Sequence, residues 1–165
     1  MAVTTEDIRR LREETGAGVM ECKQALTDAD GDAAQARKIL RDKGALVASK
    51  KADREAGQGL VESYIHGGGR IGVLLELNCE TDFVARGDDF KQLARDIAMQ
   101  IAAMNPVVIA PTDEGADDLN PQEVLLTQAF IRDPGRTIED RINDTVSRVR
   151  EKIVVRRFVR YELGS

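Results

Sequence analysis

Hydrophobic residues in the first fifty positions recur every three or four residues, which predicts three short amphipathic helices. Thr4 or Thr5 caps the first helix, and two glycines in segment 15–18 end it. Gly44 ends the third helix, and residues 43–59 are interpreted as a partly helical linker. The predicted apolar faces consist of Ile8 and Leu11 in the first helix, Val19, Cys22 and Leu26 in the second, and Ala36, Ile39 and Leu40 in the third.

The middle of the chain changes from a strand pattern to a helix pattern. Residues 60–66 and 70–77 alternate between apolar and polar side chains, and the glycines at 67–69 predict the turn of an antiparallel hairpin. A long helical stripe then begins at Asp88, which we expect to cap the helix, and stops near Pro106. The pattern therefore predicts two paired strands followed by one helix.

The last third of the chain begins with loops and ends with a helix and a strand. Residues 105–135 hold all four prolines and are predicted to form loops with one short helix at 123–131. Thr137 caps a second clear helix, and residues 153–163 then alternate as a closing strand. One face of that strand is predicted to carry Ile153, Val155, Val159, Tyr161 and Leu163, and the other face Arg156, Arg160 and Glu162.

The order of these elements predicts an α+β fold with two domains. Residues 1–52 form an N-terminal three-helix module, which resembles the ubiquitin-associated domain, a module that usually holds another protein. Residues 53–165 form a small, mostly antiparallel sheet with helices packed on one side, and this domain carries the closing strand. Three helices of about ten residues bury little apolar area, so we expect the module to be marginally stable alone.

Composition and charge limit the classes of function that we expect for the protein. With 42% hydrophobic and 32% charged residues, the chain is predicted to be a folded globular protein. Its apolar runs are shorter than the roughly 20 residues that span a bilayer. The first residues lack the basic-then-apolar order of a signal peptide, so we expect a cytoplasmic protein that does not act on membranes. A net charge of −5 argues against nucleic acid as a direct partner, although short basic clusters occur.

Residues that catalysis or metal binding would need are scarce. The single histidine, His66, precedes the glycine turn, and nothing in the sequence places Cys22 or Cys79 beside it. The two cysteines lie far apart, without Cys-x-x-Cys spacing, so we expect buried, reduced thiols. The glycines at 67–69 lack the Lys-Ser/Thr that follows in a phosphate-binding loop. We therefore expect that the protein is not an enzyme and holds neither a metal nor a cofactor.

Residues 78–87 are predicted to form a solvent-facing turn between the hairpin and the long helix. Phe83 and Val84 lie there among charged neighbours, in a chain with only four Phe, two Tyr and no Trp. An apolar tip with a charged collar is typical of a residue that inserts into a crevice of another protein. The alternative is that Phe83 packs back beneath its own loop. Met20 lies off the apolar face of its helix and is a second candidate for an exposed contact.

Three segments of the chain match the motifs of one family. Two of them resemble the signatures of bacterial translation elongation factor Ts: residues 11–26, LREETGAGVMECKQAL, and residues 78–86, NCETDFVAR. The third segment, residues 153–163 with the sequence IVVRRFVRYEL, resembles the closing strand of that family. The resemblance implies a guanine nucleotide exchange factor that binds elongation factor Tu, a GTPase, in its GDP form and promotes release of GDP without catalysing a chemical step.

The resemblance also implies which residues contact the GTPase. The loop that inserts beside the nucleotide site consists of Thr81, Asp82, Phe83 and Val84. Within it, Phe83 wedges between helices of the GTPase, and Asp82 helps to displace the shell that holds Mg²⁺. The contact residues of the three-helix module are Leu11, Arg12, Val19, Met20 and Lys23. His66 and its glycine turn resemble a segment that faces the third domain of the GTPase in some members.

The chain is shorter than many members of this family, which carry two related α/β cores and a projecting helical insertion. Its length suffices for one core, and the resemblance to single-core members implies a homodimer. Segment 105–137 is shorter than its usual counterpart. The closing strand is a candidate for edge-to-edge pairing with a second copy, although Val155 and Tyr161 can equally cover the core helices. Two functions are alternatives to nucleotide exchange. One is a passive protein-binding module without exchange activity. The other is an RNA-associated ribosomal accessory protein, which the negative net charge of the chain disfavours.

Overall fold

Helices and strands of the computed structural model, which describes residues 3–165, follow nearly the predicted order. In chain order they are α1 (Thr5–Thr15), α2 (Val19–Asp28), α3 (Ala33–Ser49), β1 (Gln58–His66), β2 (Ile71–Cys79), α4 (Asp82–Ala85), α5 (Asp88–Met104), β3 (Ala129–Phe130), β4 (Asp133–Thr137), α6 (Ile138–Val149) and β5 (Ile153–Glu162). Two 3-10 turns, Pro121–Glu123 and Leu125–Thr127, precede β3. The α+β fold class is confirmed.

The first three helices pack around a small hydrophobic core of their own, as predicted. Its buried residues are Leu11, Cys22, Ala25, Leu26, Ala29 and Ala36. The Thr4 hydroxyl accepts a hydrogen bond from the Asp7 amide (3.2 Å), and the Asp7 carboxylate accepts one from the Thr4 amide (3.1 Å). This reciprocal capping box begins α1, and Gly16 ends it in the left-handed conformation, with φ of 68°.

One predicted core position of the module is wrong. Val19 is expected on the apolar face of α2, but its side chain is 51% exposed. It occupies the first turn of α2, whereas the core contacts of this helix begin at Cys22. The spacing of apolar residues identified the correct face but not the point along the helix at which that face becomes buried.

Gly44 does not end α3, because the helix continues to Ser49. Gly44 lies where α3 packs against α6: a Cβ atom on it would lie 3.5 Å from Ser147 Oγ and 3.7 Å from the carbonyl oxygen of Asn143. Glycine in a helix costs about 1 kcal/mol relative to alanine. Both distances are ordinary contacts, so an alanine would fit here, whereas a longer side chain would meet Ser147 and Asn143 of α6. Gly44 therefore lies at a packing site and not at a helix end.

As a result, α3 belongs to both hydrophobic cores of the protein. Its first half contributes Ile39 and Leu40 to the core of the module, and its second half packs Val47 and Ala48 against the larger core. The first half of the predicted linker is therefore helix. The predicted division of the chain at residue 52 lies just after α3, and it stays a prediction.

The larger core lies between the helices and a three-stranded antiparallel sheet in the order β1-β2-β5. The predicted hairpin is confirmed, with Gln58 opposite Cys79 and His66 opposite Ile71. On the other side of β2, Cys79 is opposite Ile153 of β5. The buried side chains of β2 are Val73, Leu75, Leu77 and Cys79. The sheet thus packs one face against the helices, as predicted.

A β-bulge partway along β5 exchanges the buried and the exposed face of the strand. Val155 pairs with Leu77 and Arg157 pairs with Glu76, so Arg156 has no partner in β2. Because neighbouring residues of a strand point to opposite faces, one extra residue moves every later side chain to the other face. The strict alternation assumed for residues 153–163 therefore holds only up to the bulge.

The second half of β5 consequently differs from the prediction. The side chains that were expected inside but are exposed are Val159, Tyr161 and Leu163. Phe158 packs against the larger core instead. Arg160, expected outside, donates hydrogen bonds from Nε (3.2 Å) and Nη2 (3.0 Å) to the carbonyl oxygen of Ala102. A cation at this position suits the C-terminal end of α5, where carbonyl groups lack helical partners.

Residues 105–137 form loops, the two 3-10 turns and a ribbon of β3 and β4, so the helix predicted at 123–131 is wrong. Buried Gln128 accepts a hydrogen bond from Gln100 of α5 (3.1 Å) and donates one to the carbonyl oxygen of Gln122 (2.7 Å). Gln100 also donates to the carbonyl oxygen of Ala129 (3.0 Å). Buried hydrogen bonds from Gln100 thus hold this segment against α5.

The outer face of the sheet, opposite the helices, carries apolar side chains in solvent. We call these residues the outer-face patch: Val61, Ile65, Leu74, Val159 and Tyr161. The strand register places Leu74 beside Val159, and Tyr161 is 73% exposed. A group of apolar side chains on one exposed face is typical of a protein–protein contact.

Candidate functional site

Phe83 lies at the tip of one helical turn, α4, within residues 80–86, which we call the aromatic loop. Thr81 is the N-cap of this turn, and its hydroxyl accepts a hydrogen bond from the Val84 amide (3.4 Å). Val84 and Ala85 are buried against the larger core. With those two neighbours inward, Phe83 points away from the core and is 83% exposed. The alternative that Phe83 packs beneath its own loop is therefore wrong.

Glu151, in the turn between α6 and β5, holds the backbone that precedes Phe83. Its Oε2 accepts hydrogen bonds from the amides of Glu80 (3.1 Å) and Thr81 (3.0 Å), and its Oε1 accepts one from the Thr81 hydroxyl (2.6 Å). Beneath the loop, Cys79 Sγ donates to the carbonyl oxygen of Thr81 (3.1 Å). Burial raises the pKa of the Cys79 thiol to about 11, so the thiol keeps the proton that this bond needs.

A second anchor of the aromatic loop is the Glu80 carboxylate. It accepts a hydrogen bond from the Lys152 amide (2.6 Å) and lies 3.3 Å from the Arg54 guanidinium. The Lys152 amide, followed by Arg54, lowers the pKa of Glu80 against the opposing effect of desolvation. The Lys152 ammonium donates in turn to the carbonyl oxygens of Ala52 (2.5 Å) and Arg54 (2.9 Å). The loop is thereby tied to the segment that follows α3.

Asp82 lies beside Phe83 and forms an exposed ion pair. Its Oδ2 is 2.6 Å from Arg86 Nη2, and both side chains are largely in water. α5 begins directly after the loop, with Gly87 as its N-cap in place of the predicted Asp88. A groove beside the ring is lined by Asp88, Asp89, Phe90, Arg148 and Val149. The tip of the loop thus presents an aromatic ring among charged side chains of both signs.

The predicted contact residues of the three-helix module differ in exposure. Met20 is 71% exposed, and Arg12, Val19 and Lys23 also reach solvent. Leu11 is only 2% exposed and packs inside the core of the module. In this conformation the Leu11 side chain is therefore not accessible from outside the module. The other four residues are available to a partner.

The end of α6 lies between the module and the aromatic loop. Arg150 Nη2 is 3.4 Å from Glu21 in the first turn of α2. Arg148 Nη1 is 3.3 Å from Asp89 in the first turn of α5. The Arg148 guanidinium also packs over Gly16, where a Cβ atom would lie 2.9 Å from Nη1. The structure therefore links the start of α2, which carries the exposed module residues, to the region of the loop.

Sequence reasoning did not identify Glu151, Arg148 or Arg150, because charged residues around a turn are common. The signal that could have found Glu151 is the register of β2 and β5. Cys79 is opposite Ile153, so continuing the antiparallel register by two residues brings Thr81 opposite Glu151. That register is known only once the strands are paired in space.

His66 is not brought to the aromatic loop. It ends β1 at the glycine turn, whereas the loop follows the opposite end of the hairpin, at Cys79. A nine-residue strand separates the two ends, a span of roughly 27 Å. The His66 Nδ1 lies 3.1 Å from the Tyr64 hydroxyl, and the two rings stack with centroids 6.0 Å apart.

Within residues 3–165, no group of three or more His, Cys, Asp and Glu side chains is arranged to hold a metal ion. None of the helices in that range is both long enough and apolar enough to cross a membrane.

Comparisons with known proteins agree on one family. The model of the family described as elongation factor TS matches residues 43–130. The elongation factor Ts of Moorella thermoacetica is 44% identical over 194 aligned positions, which cover 98% of this chain and 96% of the relative. That of Rubrobacter xylanophilus is 43% identical over 195 positions, covering 99% of this chain and all of the relative. That of Syntrophomonas wolfei is 45% identical over 194 positions, covering 98% and 91%.

The alignments are longer than the chain itself. They run over 194 or 195 positions, whereas the chain has 165 residues, so these relatives contain residues without a counterpart here. The match nevertheless extends over nearly the whole chain and nearly the whole of each relative.

Proposed function

The chain belongs to the elongation factor Ts family, and from this premise we propose that it is the guanine nucleotide exchange factor of elongation factor Tu. It binds the GTPase in its GDP form and promotes release of GDP during translation elongation. Its place of action is the cytoplasm, with a protein as its direct partner and with neither nucleic acid nor membrane involved.

The exposed ring of Phe83 is the observation that carries this proposal. Burial of a phenylalanine side chain is worth about 2–3 kcal/mol, and the fold leaves this gain unused. A partner with a hydrophobic crevice realises the gain when the ring enters it. Because the hydrogen bonds to Glu151 and the burial of Val84 hold the turn in place, the ring is presented in one direction.

Asp82 supplies the negative charge beside the wedge. In the proposed complex its carboxylate helps to displace the shell of ligands that holds Mg²⁺ at the diphosphate of GDP. The ion pair with Arg86 does not prevent this, since an exposed pair one helical turn apart stabilises by only about 0.3–0.5 kcal/mol. The carboxylate is therefore available to the partner.

Exchange of this kind is a binding step, in which no covalent bond is made or broken. GDP is held largely by Mg²⁺ and by backbone donors around its phosphates. A protein that favours a rearranged nucleotide site weakens GDP binding by the same factor by which GDP weakens binding of the protein. Only contacts that differ between the two states contribute, and we propose that those of Phe83 and Asp82 do.

The three-helix module is proposed to hold the GTPase while the loop acts. Its contact surface consists of Arg12, Val19, Met20 and Lys23, supported from within by Leu11. A flexible, polarizable side chain such as Met20 suits an adaptable apolar contact. His66, at the far end of the hairpin, is proposed to face another domain of the partner. Module and loop are linked through the end of α6, so one partner can engage both.

We also infer that two copies of the chain associate through the outer-face patch. The patch is apolar, lies opposite the helices and occupies all three strands of the sheet. Resemblance to single-core members of the family supports a homodimer. β5 is an edge strand, so pairing of two β5 strands is the alternative arrangement of the dimer.

The test of the proposed activity is the release of a fluorescent GDP analogue from elongation factor Tu. With excess unlabelled GDP present, substoichiometric amounts of the protein are expected to accelerate the loss of fluorescence, because each molecule serves many GTPases in turn. A passive protein-binding module would leave the release rate unchanged even at saturating concentration. That result, combined with demonstrated binding to the GTPase, would overturn the proposal in favour of the passive module.

A further inference from the structure

Glu151 is positioned by the fold to act on the aromatic loop. The ladder between β2 and β5 ends at the pair of Cys79 and Ile153, and Glu151 lies two residues beyond that pair. Its single carboxylate accepts three hydrogen bonds from two consecutive residues, Glu80 and Thr81. The distances are 3.1, 3.0 and 2.6 Å, the shortest being from the Thr81 hydroxyl.

The short bond from the Thr81 hydroxyl fixes where its only proton points. A hydroxyl has one proton to donate and two lone pairs with which to accept. Since the proton goes to Glu151 Oε1, a lone pair is free to accept a hydrogen bond from the Val84 amide, which caps the start of α4. Glu151 thus sets both the backbone before the turn and the cap of the turn itself. The direction of Phe83 follows from that cap.

Glu151 also belongs to the turn that contacts the module. Its neighbour Arg150 has a left-handed backbone, with φ of 62°, and lies 3.4 Å from Glu21 of α2. Arg148, one turn earlier, lies against Gly16 and near Asp89. The turn that orients the aromatic loop is therefore also joined to the module.

We propose that Glu151 is a positioning residue for nucleotide exchange, one that fixes Phe83 in its outward direction before the partner arrives. The inference rests on the proposed exchange function. A loop that is already ordered loses less conformational entropy when it binds, so more of its contact energy remains for the rearranged nucleotide site. Glu151 acts through the loop and does not itself have to contact the GTPase.

The test compares Glu151→Gln with Glu139→Gln, which makes the same charge change in the first turn of α6, at its opposite end. The amide in Glu151→Gln accepts with one neutral oxygen, so its hydrogen bonds from the two backbone amides are weaker, and the Thr81 hydroxyl loses the acceptor of its proton. We expect the maximal rate of GDP release to fall about fivefold or more, with less than about a twofold change in the concentration for half-maximal effect. Glu139→Gln is expected to behave like the unmodified protein.

Hydrogen exchange of the free protein supplies a readout that is independent of the GTPase. In Glu151→Gln the amides of Glu80 and Thr81 donate to a neutral oxygen in place of a carboxylate, so they are expected to exchange faster while the amides of β2 keep their protection. If Glu151→Gln fails to fold, Glu151→Asp replaces it. This variant keeps the charge but shortens the reach by one methylene, and the same loss of maximal rate is expected.

Three results would overturn the inference in distinguishable ways. If the unmodified protein accelerates GDP release and Glu151→Gln does so equally, Glu151 is only a structural residue, and the exchange function stands. If the unmodified protein does not accelerate release at all, the proposed function fails and the inference fails with it. An equal loss of rate in Glu139→Gln would assign the effect to charge and not to positioning.

Discussion

Phe83 is a large aromatic side chain that its own fold does not use for packing. The turn that carries it is short, and its inward positions are taken by Val84 and Ala85. A phenylalanine ring has only two side-chain torsions, so it loses little entropy when it is buried in a partner. We therefore expect Phe83 to be a hot spot of the proposed complex, a residue that contributes a large share of the binding free energy.

Replacement of this ring tests the proposed wedge directly. Phe83→Ala is expected to lower the acceleration of GDP release by about tenfold or more, because truncation of a central aromatic contact costs about 2 kcal/mol or more. Its thermal unfolding should match that of the unmodified protein, since the ring is 83% exposed. Val107→Ala, at an exposed apolar residue beyond the far end of α5, is the matched control and should keep full activity. Full activity of Phe83→Ala would remove the wedge from the mechanism.

The raised pKa of the Cys79 thiol predicts how the stability of the protein depends on pH. Its pKa in the folded protein is about 11, above the ordinary value of 9.0, because the thiol is buried. Between these values the unfolded chain releases the proton and the folded chain keeps it, so the free energy of unfolding falls as the pH rises. The loss is about 2 kcal/mol over that interval. Urea unfolding at about pH 8 and pH 10.5 should show a smaller decline in Cys79→Ala than in the unmodified protein. An equal decline in both would contradict the assignment to this thiol.

Among the elements, α3 and α6 determine how the module sits on the rest of the protein. The two helices are in contact at Gly44 of α3, which lies beside Ser147 Oγ and the backbone of Asn143 in α6. A larger residue at this point forces the helices apart. The crossing thus favours a small residue in the interior of a helix that continues to Ser49.

Substitution of Gly44 measures the tightness of this crossing. Gly44→Leu is expected to lower the free energy of unfolding by about 1–3 kcal/mol, because the added atoms have no space between the helices. Gly44→Ala is the matched control: its Cβ would meet Ser147 Oγ at an ordinary contact distance of 3.5 Å. Its better helix propensity should hold the change within about 1 kcal/mol. Urea denaturation compares the two, and equal stability of both variants would show that the helices are not closely packed.

For the molecule as a whole, the outer-face patch is the surface through which two copies are proposed to associate. We expect the unmodified chain to show the mass of a dimer in light scattering. Tyr161→Glu places a carboxylate within that contact, and an unpaired buried charge costs about 3 kcal/mol or more. The variant is therefore expected to be a monomer at concentrations at which the unmodified chain is a dimer.

Leu46→Glu is the matched control for this prediction, since Leu46 is an exposed apolar residue of α3 outside the patch. It should leave the mass of the dimer unchanged. A dimer that survives Tyr161→Glu would exclude the patch and favour pairing of the two β5 edges. A monomer for the unmodified chain would exclude both arrangements.

Sequence alone determined the features that depend on neighbours along the chain. The capped start of α1 at Thr4 and that of α6 at Thr137 follow from side chains within three residues of the amides they bind. The hairpin follows from two alternating segments and the glycines between them. The family follows from two signatures, and the second signature contains the aromatic loop.

Tertiary structure decided what depends on the distance between remote segments. Arg156 forms a bulge because the partners in β2 do not continue the register, and this exchanges the faces of β5. Gly44 is a crossing point because α6 lies against it. Glu151 reaches Thr81 across 70 residues of sequence, and Phe83 is exposed because its neighbours find a core to enter. Local patterns specify periodicity and caps, but register, close approach and exposure exist only between surfaces that meet after folding.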